Sequence, residues 1–134
     1  MEKIKKRIRV NRTDNKSFDY VLFKRLDKYL HETQCYKNCH LERKELTTAL
    51  LTNETYLFQA VKKVTGMTLQ RYINSLRLNK ARDILENNYN LNIESIASES
   101  GFRTPRTFYR QFRHKYNMSP TEYRNLIVIH DKRI

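Results

Sequence analysis

The feature that most limits what this chain can become is a pattern that occurs twice. Laying Leu57 on Phe108, an offset of 51 residues, superposes ERKELTTALL followed by NETYLFQAVKKVTG on IESIASESG followed by TPRTFYRQFRHKYN. Each stretch reads as a short helix, a tight turn and a second helix. In the second helices core positions pair with core positions: Leu57, Val61 and Val64 make one apolar side, Phe108 and Phe112 the other. At about 100° per residue, Arg106, Arg110 and Arg113 gather opposite the phenylalanines with Tyr109 beside them. Thr55, Phe58, Gln59 and Lys62 take the corresponding outward places in the first copy.

Helical spacing fills the rest of the chain. Between the copies, LQRYINSLRLNKARDILEN sets Leu69, Tyr72, Ile73, Leu76, Ala81, Ile84 and Leu85 on or near one face without a Gly or Pro, which predicts one stiff helix. Upstream, Phe18, Leu22, Leu26, Tyr29 and Leu30 predict an amphipathic helix over about 19–32, and SPTEYRNLIVI predicts a last short helix. Asn53 and Thr104 are suited to cap the second helices, Pro105 to open one of them, and Gly66 to stop the other in the left-handed conformation. No alternating strand pattern competes, so an all-α fold of about seven helices is expected. Residues 1–17 carry seven basic side chains against Glu2 and Asp14 and read as a basic flexible arm or linker. The expected organisation is this arm, a helix-turn-helix subdomain over 18–68, a connecting helix over 69–86 and a second helix-turn-helix subdomain over 87–134.

Charge narrows the function. Lys and Arg number 27 against 14 Asp and Glu, a net +13, while 39% apolar residues still permit a core; the partner expected is a polyanion. No run approaches the roughly 18 apolar residues of a membrane span, and the first residues lack the apolar centre of a signal peptide, so a cytoplasmic location without membrane contact is expected. Cys35 and Cys39 lie near His31 and His40 as H-x3-C-x3-C-H, a spacing that fits no common zinc pattern. They read as reduced surface thiols in a loop, and no metal or cofactor is expected. An enzyme is disfavoured: no Gly-rich phosphate loop and no nucleophile with a base at motif spacing is present.

Two helices with a tight turn, the second presenting polar and basic side chains, match the unit that lays its second helix in the DNA major groove. The segment between Arg103 and Asn117 contains no acidic residue, which suits that use. Arg106 and Arg110 have the forked donors to bind guanine edges, with Thr107 and Tyr109 flanking them; Thr55, Phe58 and Gln59 are the base-contact candidates of the first copy. Arg103, Thr104, Arg113, Lys62 and Lys63 are placed to hold phosphates. A connecting helix of eighteen residues spans about 27 Å, against about 34 Å between successive major-groove faces. That predicts a monomer inserting helices over about 54–65 and 105–116 into adjacent groove segments of one asymmetric site of roughly 15–20 base pairs. The alternative is a basic RNA- or DNA-binding protein of the nucleoid type, whose affinity falls steeply with salt and which prefers no sequence.

The most specific motif is I-A-x-x-x-G-F, a capped helix with F-x-x-x-F, then S-P-x-x-Y-R: Ile96, Ala97, Gly101, Phe102, Phe108, Phe112, Ser119, Pro120, Tyr123 and Arg124. With Leu46, Tyr56, Leu57, Gly66, Tyr72, Ile73, Arg77, Leu78 and Ala81, it resembles the AraC/XylS family of bacterial transcription regulators over about 20–128. The resemblance implies a DNA-binding domain of two helix-turn-helix units on one long helix, and RNA polymerase as a further partner. Most members carry a separate sensing domain, for which 134 residues leave no room. The chain therefore reads either as a small member or as the output end of a longer regulator, since it also resembles domains appended to sensor kinases. Two positions depart from the family: Leu51 stands where the first turn has Gly, and Asn117 replaces a Gly in the second unit.

Overall fold

Caps and apolar stripes together set the helices of the chain, for which a computed structural model describes residues 12–88 and 90–133. Among these residues there are seven helices and no strand: α1 (Arg12–Thr33), α2 (Arg43–Ala49), α3 (Glu54–Thr65), α4 (Leu69–Asn87), α5 (Ile93–Glu99), α6 (Pro105–Tyr116) and α7 (Pro120–Arg133). A 3-10 turn at Cys35–Lys37 follows α1. The all-α class expected from the sequence is the class observed. Helix α1 starts earlier than its periodicity suggests. RTDNKS over 12–17 has no apolar residue to mark a face and no Gly or Pro to stop a helix, so apolar periodicity gives no signal for this first stretch. The remainder of the arm expected over 1–17, residues 1–11, lies outside the described residues.

The chain divides into two compact units. The first takes the described residues up to Gln34 together with Glu42–Tyr72. Its core is Leu22, Leu26 and Leu30 of α1, Leu46 and Leu50 at α2, and Leu57, Ala60 and Val61 of α3. Helix α1 lies along α3. Val64, expected on the apolar side, is instead partly exposed, and Ala60 fills the place inside. The Tyr72 hydroxyl donates to the Asp27 carboxylate while its ring meets Phe23 edge-on at 5.2 Å. Burial, and then this bond, push the Tyr72 phenol well above its ordinary pKa.

The second unit comprises Cys35–Leu41 and the residues from Ile73 onward. Leu78, Ala81, Leu85, Ile96, Ala97, Phe102, Phe108 and Phe112 form its core, edged by Ile93, Tyr116 and Tyr123. The Phe108 ring sits 5.2 Å from Phe102 and 5.6 Å from Phe112; burying each such ring contributes about 1.5–3 kcal/mol. The Tyr123 hydroxyl donates to Glu86 Oε1 at 2.6 Å, and burial together with that carboxylate raises its pKa to about 12.

A buried arginine binds the loop Cys35–Leu41 into this unit. Arg77 Nε donates to the Tyr36 carbonyl at 2.6 Å, Nη2 to the Asn38 carbonyl at 3.1 Å, and Nη1 to Asn74 Oδ1 at 3.2 Å. Cys35 and Cys39 are consequently half-buried rather than surface thiols, because the guanidinium draws the backbone between them inward. Among the described residues no three His, Cys, Asp or Glu side chains gather as metal ligands, and no helix is long and apolar enough to cross a membrane.

Candidate nucleic-acid interface

The two turns that aim α3 and α6 are built alike. In the first, the Thr52 N–H bonds the Thr47 carbonyl at 3.0 Å and the Leu51 N–H the Thr48 carbonyl at 3.3 Å. In the second, the Phe102 N–H bonds the Ala97 carbonyl at 2.9 Å and the Gly101 N–H the Ser98 carbonyl at 3.1 Å. This is the paired 6→1 and 5→2 closure of a helix that ends in a left-handed residue, here Leu51 at φ 53° and Gly101 at φ 101°. The single offset of 51 therefore holds for α3 and α6 but not for α2 and α5, whose bounds differ by 50. The second turn is one residue longer, and nothing in the apolar periodicity marks the insertion.

Both second helices start and stop by the same devices. Asn53 Oδ1 accepts the Tyr56 N–H at 2.9 Å, and Thr104 Oγ1 accepts the Thr107 N–H at 3.2 Å. Pro105 occupies the first turn of α6, where a missing N–H costs nothing. Gly66 at φ 76° and Asn117 at φ 59° end the helices in the left-handed region, and their N–H groups reach the carbonyls of Lys62 and Arg113. The bounds predicted for the two helices, 54–65 and 105–116, are the bounds observed.

The outward faces differ in how much charge they leave uncommitted. On α6, Arg106, Tyr109, Arg110 and Arg113 are exposed, with Phe108 and Phe112 fully buried beneath them. Arg106 and Arg110 form no ion pair and no side-chain hydrogen bond among the described residues, and Arg103 at the rim is likewise exposed; Arg113 lies 3.4 Å from Glu122. Thr107 is half-buried, and its hydroxyl receives the Thr104 hydroxyl at 3.0 Å, so both threonines serve the cap. Lys115, absent from the sequence-based set, turns toward α4 and donates to Asn79 Oδ1 at 2.8 Å; burial, and then Arg82, lower its pKa.

On α3, Thr55 and Gln59 are exposed side by side, one turn apart. Lys62 donates to the Gly66 carbonyl at 3.0 Å, and Lys63 lies 3.4 Å from the carboxylate of Asp19, a buried residue of α1. Phe58 is not a bare ring. It is half-buried, and the Arg43 guanidinium, from the first position of α2, stands 5.2 Å from its centroid. The more exposed aromatic of α3 is Tyr56, whose ring meets Phe18 edge-on at 5.7 Å. Sequence reasoning passed over Arg43, and used Tyr56 only as a family position, because periodicity within α3 carries no information about side chains arriving from α1 or α2.

Known proteins share this arrangement. A family model for the helix-turn-helix domain matches residues 46–126, more than half of the chain. The HTH-type transcriptional activator RhaS of Escherichia coli is 40% identical over 68 residues, which are 51% of this chain and 24% of that protein. Histidine kinase P4 of Formosa agariphila is 36% identical over 73 residues, 54% of this chain and 5% of the kinase. The chain thus spans a quarter or less of the length of these relatives. Among solved structures, the DNA-binding domain of the global transcriptional factor AdpA, in complex with a target DNA, superposes with a TM-score of 0.68 at 18% identity; the match covers 77% of this chain and 89% of that one. The duplicated turns, the matched caps and the family match lead to one conclusion: the chain belongs to the AraC/XylS family of helix-turn-helix DNA-binding domains that regulate transcription.

Proposed function

We propose that the chain reads double-stranded DNA by sequence, as a monomer that lays α3 and α6 in adjacent major-groove segments. The observation that carries this reading is the exposed pair Arg106 and Arg110, one helical turn apart and without an ion pair among the described residues, on a helix that a fully buried Phe108 and Phe112 fix from behind. A guanidinium offers two parallel donors to guanine O6 and N7, which discriminates that base by about 1–3 kcal/mol. Thr107 and Tyr109 border this pair. On α3, Thr55 and Gln59 face the bases, with Phe58 at the margin of their stripe, and Gln59 has the geometry to pair with adenine. Arg103, Arg113 and the N–H groups of the first turn beyond Thr104 meet phosphates, and Lys62 and Lys63 do so beside α3.

Since RhaS and the kinase carry the matching segment as a fraction of a longer chain, the output role within a larger regulator, with RNA polymerase as the second partner, is part of the same proposal. The test is selection of binding sites from random duplex DNA. A two-segment motif is expected with centres about 10 base pairs apart, and Arg106→Ala or Arg110→Ala should each lose about 10- to 100-fold in affinity and relax one segment only. If no motif emerges, or if both substitutions leave it intact, the non-specific nucleic-acid binder is the correct reading.

A further inference from the structure

Helix α3 has two basic residues, and both are engaged within the first unit: Lys62 with the Gly66 carbonyl and Lys63 with Asp19. The outward stripe of Thr55 and Gln59 is neutral. A third cation reaches this helix from α2. Arg43 is exposed, forms no ion pair among the described residues, and stands with its guanidinium carbon 5.2 Å from the centre of the half-buried Phe58 ring. A cation held over a ring face is restrained by the ring quadrupole and spends none of its N–H donors on the contact, so all of them stay available to an anion. The second unit has no arginine at the corresponding position. Under the offset of 50 that relates α2 to α5, Arg43 corresponds to Ile93, which packs against the core, while α6 supplies its own arginines.

We infer that Arg43, restrained over Phe58, is the phosphate-binding arginine of the first reading surface, gripping the DNA backbone at the edge of the groove that α3 enters. The inference rests on the proposal that α3 faces the groove. A phosphate rather than a base is the ligand because Arg43 belongs to the flanking helix, beside the Thr55 and Gln59 stripe and not within it. Phe58 then acts as a positioning residue that backs the guanidinium, in place of the base contact that its sequence position suggests.

Fluorescence anisotropy with a duplex bearing the selected motif and with a random duplex, across a potassium chloride series, tests the assignment. Arg43→Ala should weaken both duplexes about 5- to 10-fold at low salt and make the slope of log affinity against log salt shallower by about one, with the motif unchanged. Arg43→Lys should restore the slope but only part of the affinity. Adding Arg43→Ala to Phe58→Leu should cost less than it does alone, since the ring that restrains the guanidinium is already gone. Unchanged slope and affinity in Arg43→Ala, with Gln59→Ala still altering the motif, would overturn the Arg43 assignment and spare the reading of α3. A changed base preference at an unchanged slope would overturn it as well, making Arg43 a base reader. If neither Arg43→Ala nor Gln59→Ala changes anything, α3 does not face the groove and both ideas fall.

Discussion

The two helix-turn-helix copies close their turns with the same pair of backbone hydrogen bonds, yet one turn holds a leucine where the other holds a glycine. In the first copy the Leu51 side chain is 89% exposed, so its cost is the strain of a left-handed L-residue, about 1–2 kcal/mol, and nothing else. In the second, a Cβ on Gly101 would run into the Tyr36 carbonyl and come within 2.9 Å of Arg77 Nε and Lys37 Cα. The turn geometry favours glycine in both copies. Only the surroundings of the second demand it.

The largest expected effect breaks the second copy at this point. Gly101→Ala adds overpacking to strain and should destabilise by about 3 kcal/mol or more, read as a lower urea midpoint by circular dichroism. An undiminished midpoint would mean that the loop Cys35–Leu41 yields freely. Next in size is a transplant between the reading faces: Arg110→Gln puts the residue of the first copy, Gln59, into the second. It should weaken binding roughly 10-fold, about 1.4 kcal/mol, and move one preferred base from guanine toward adenine in a repeated site selection. Leu51→Gly, in the opposite direction, should stabilise by about 1 kcal/mol, because the strain it relieves exceeds the entropy that glycine costs in the unfolded chain. A neutral or destabilising result would show that the exposed leucine has a contact of its own.

A separate effect is expected in alkali. The Tyr123 phenol titrates near 12 in the folded chain, above its ordinary value near 10, so the fold favours the protonated form. Its contribution to stability is complete below pH 10 and is lost as the pH rises toward 12. Urea midpoints measured across that window should fall, and fall less in Tyr123→Phe; the slope that remains belongs in part to Tyr72, whose pKa is raised in the same sense by burial and by Asp27.

Local chemistry was legible in advance and tertiary chemistry was not. Asn53, Thr104, Pro105 and Gly66 act on their own backbone neighbours, so their caps and the bounds of α3 and α6 follow from residue type and position. Phe108 and Phe112, one turn apart with arginines opposite, likewise predict a buried face. The start of α1 escaped notice because polar residues extend a helix without marking a face. The extra residue in the second turn left the periodicity of both flanking helices intact. Lys63 read as an uncommitted cation, since Asp19 approaches it only once α1 lies along α3. Arg43 was passed over for a related reason: its significance depends on a ring fifteen positions away.

The Arg77 anchor has a consequence for anyone cutting this chain in two. The stretch Cys35–Leu41 interrupts the first unit in sequence but belongs to the second, so no single scission releases two self-contained halves. A fragment beginning at Ile73 would keep the buried guanidinium and lose the carbonyls of Tyr36 and Asn38 that receive it, and an ion so stranded is among the most costly groups a core can hold. A minimal second reader would have to be made by grafting that heptapeptide back, as a separate strand of chain or through a circular permutation.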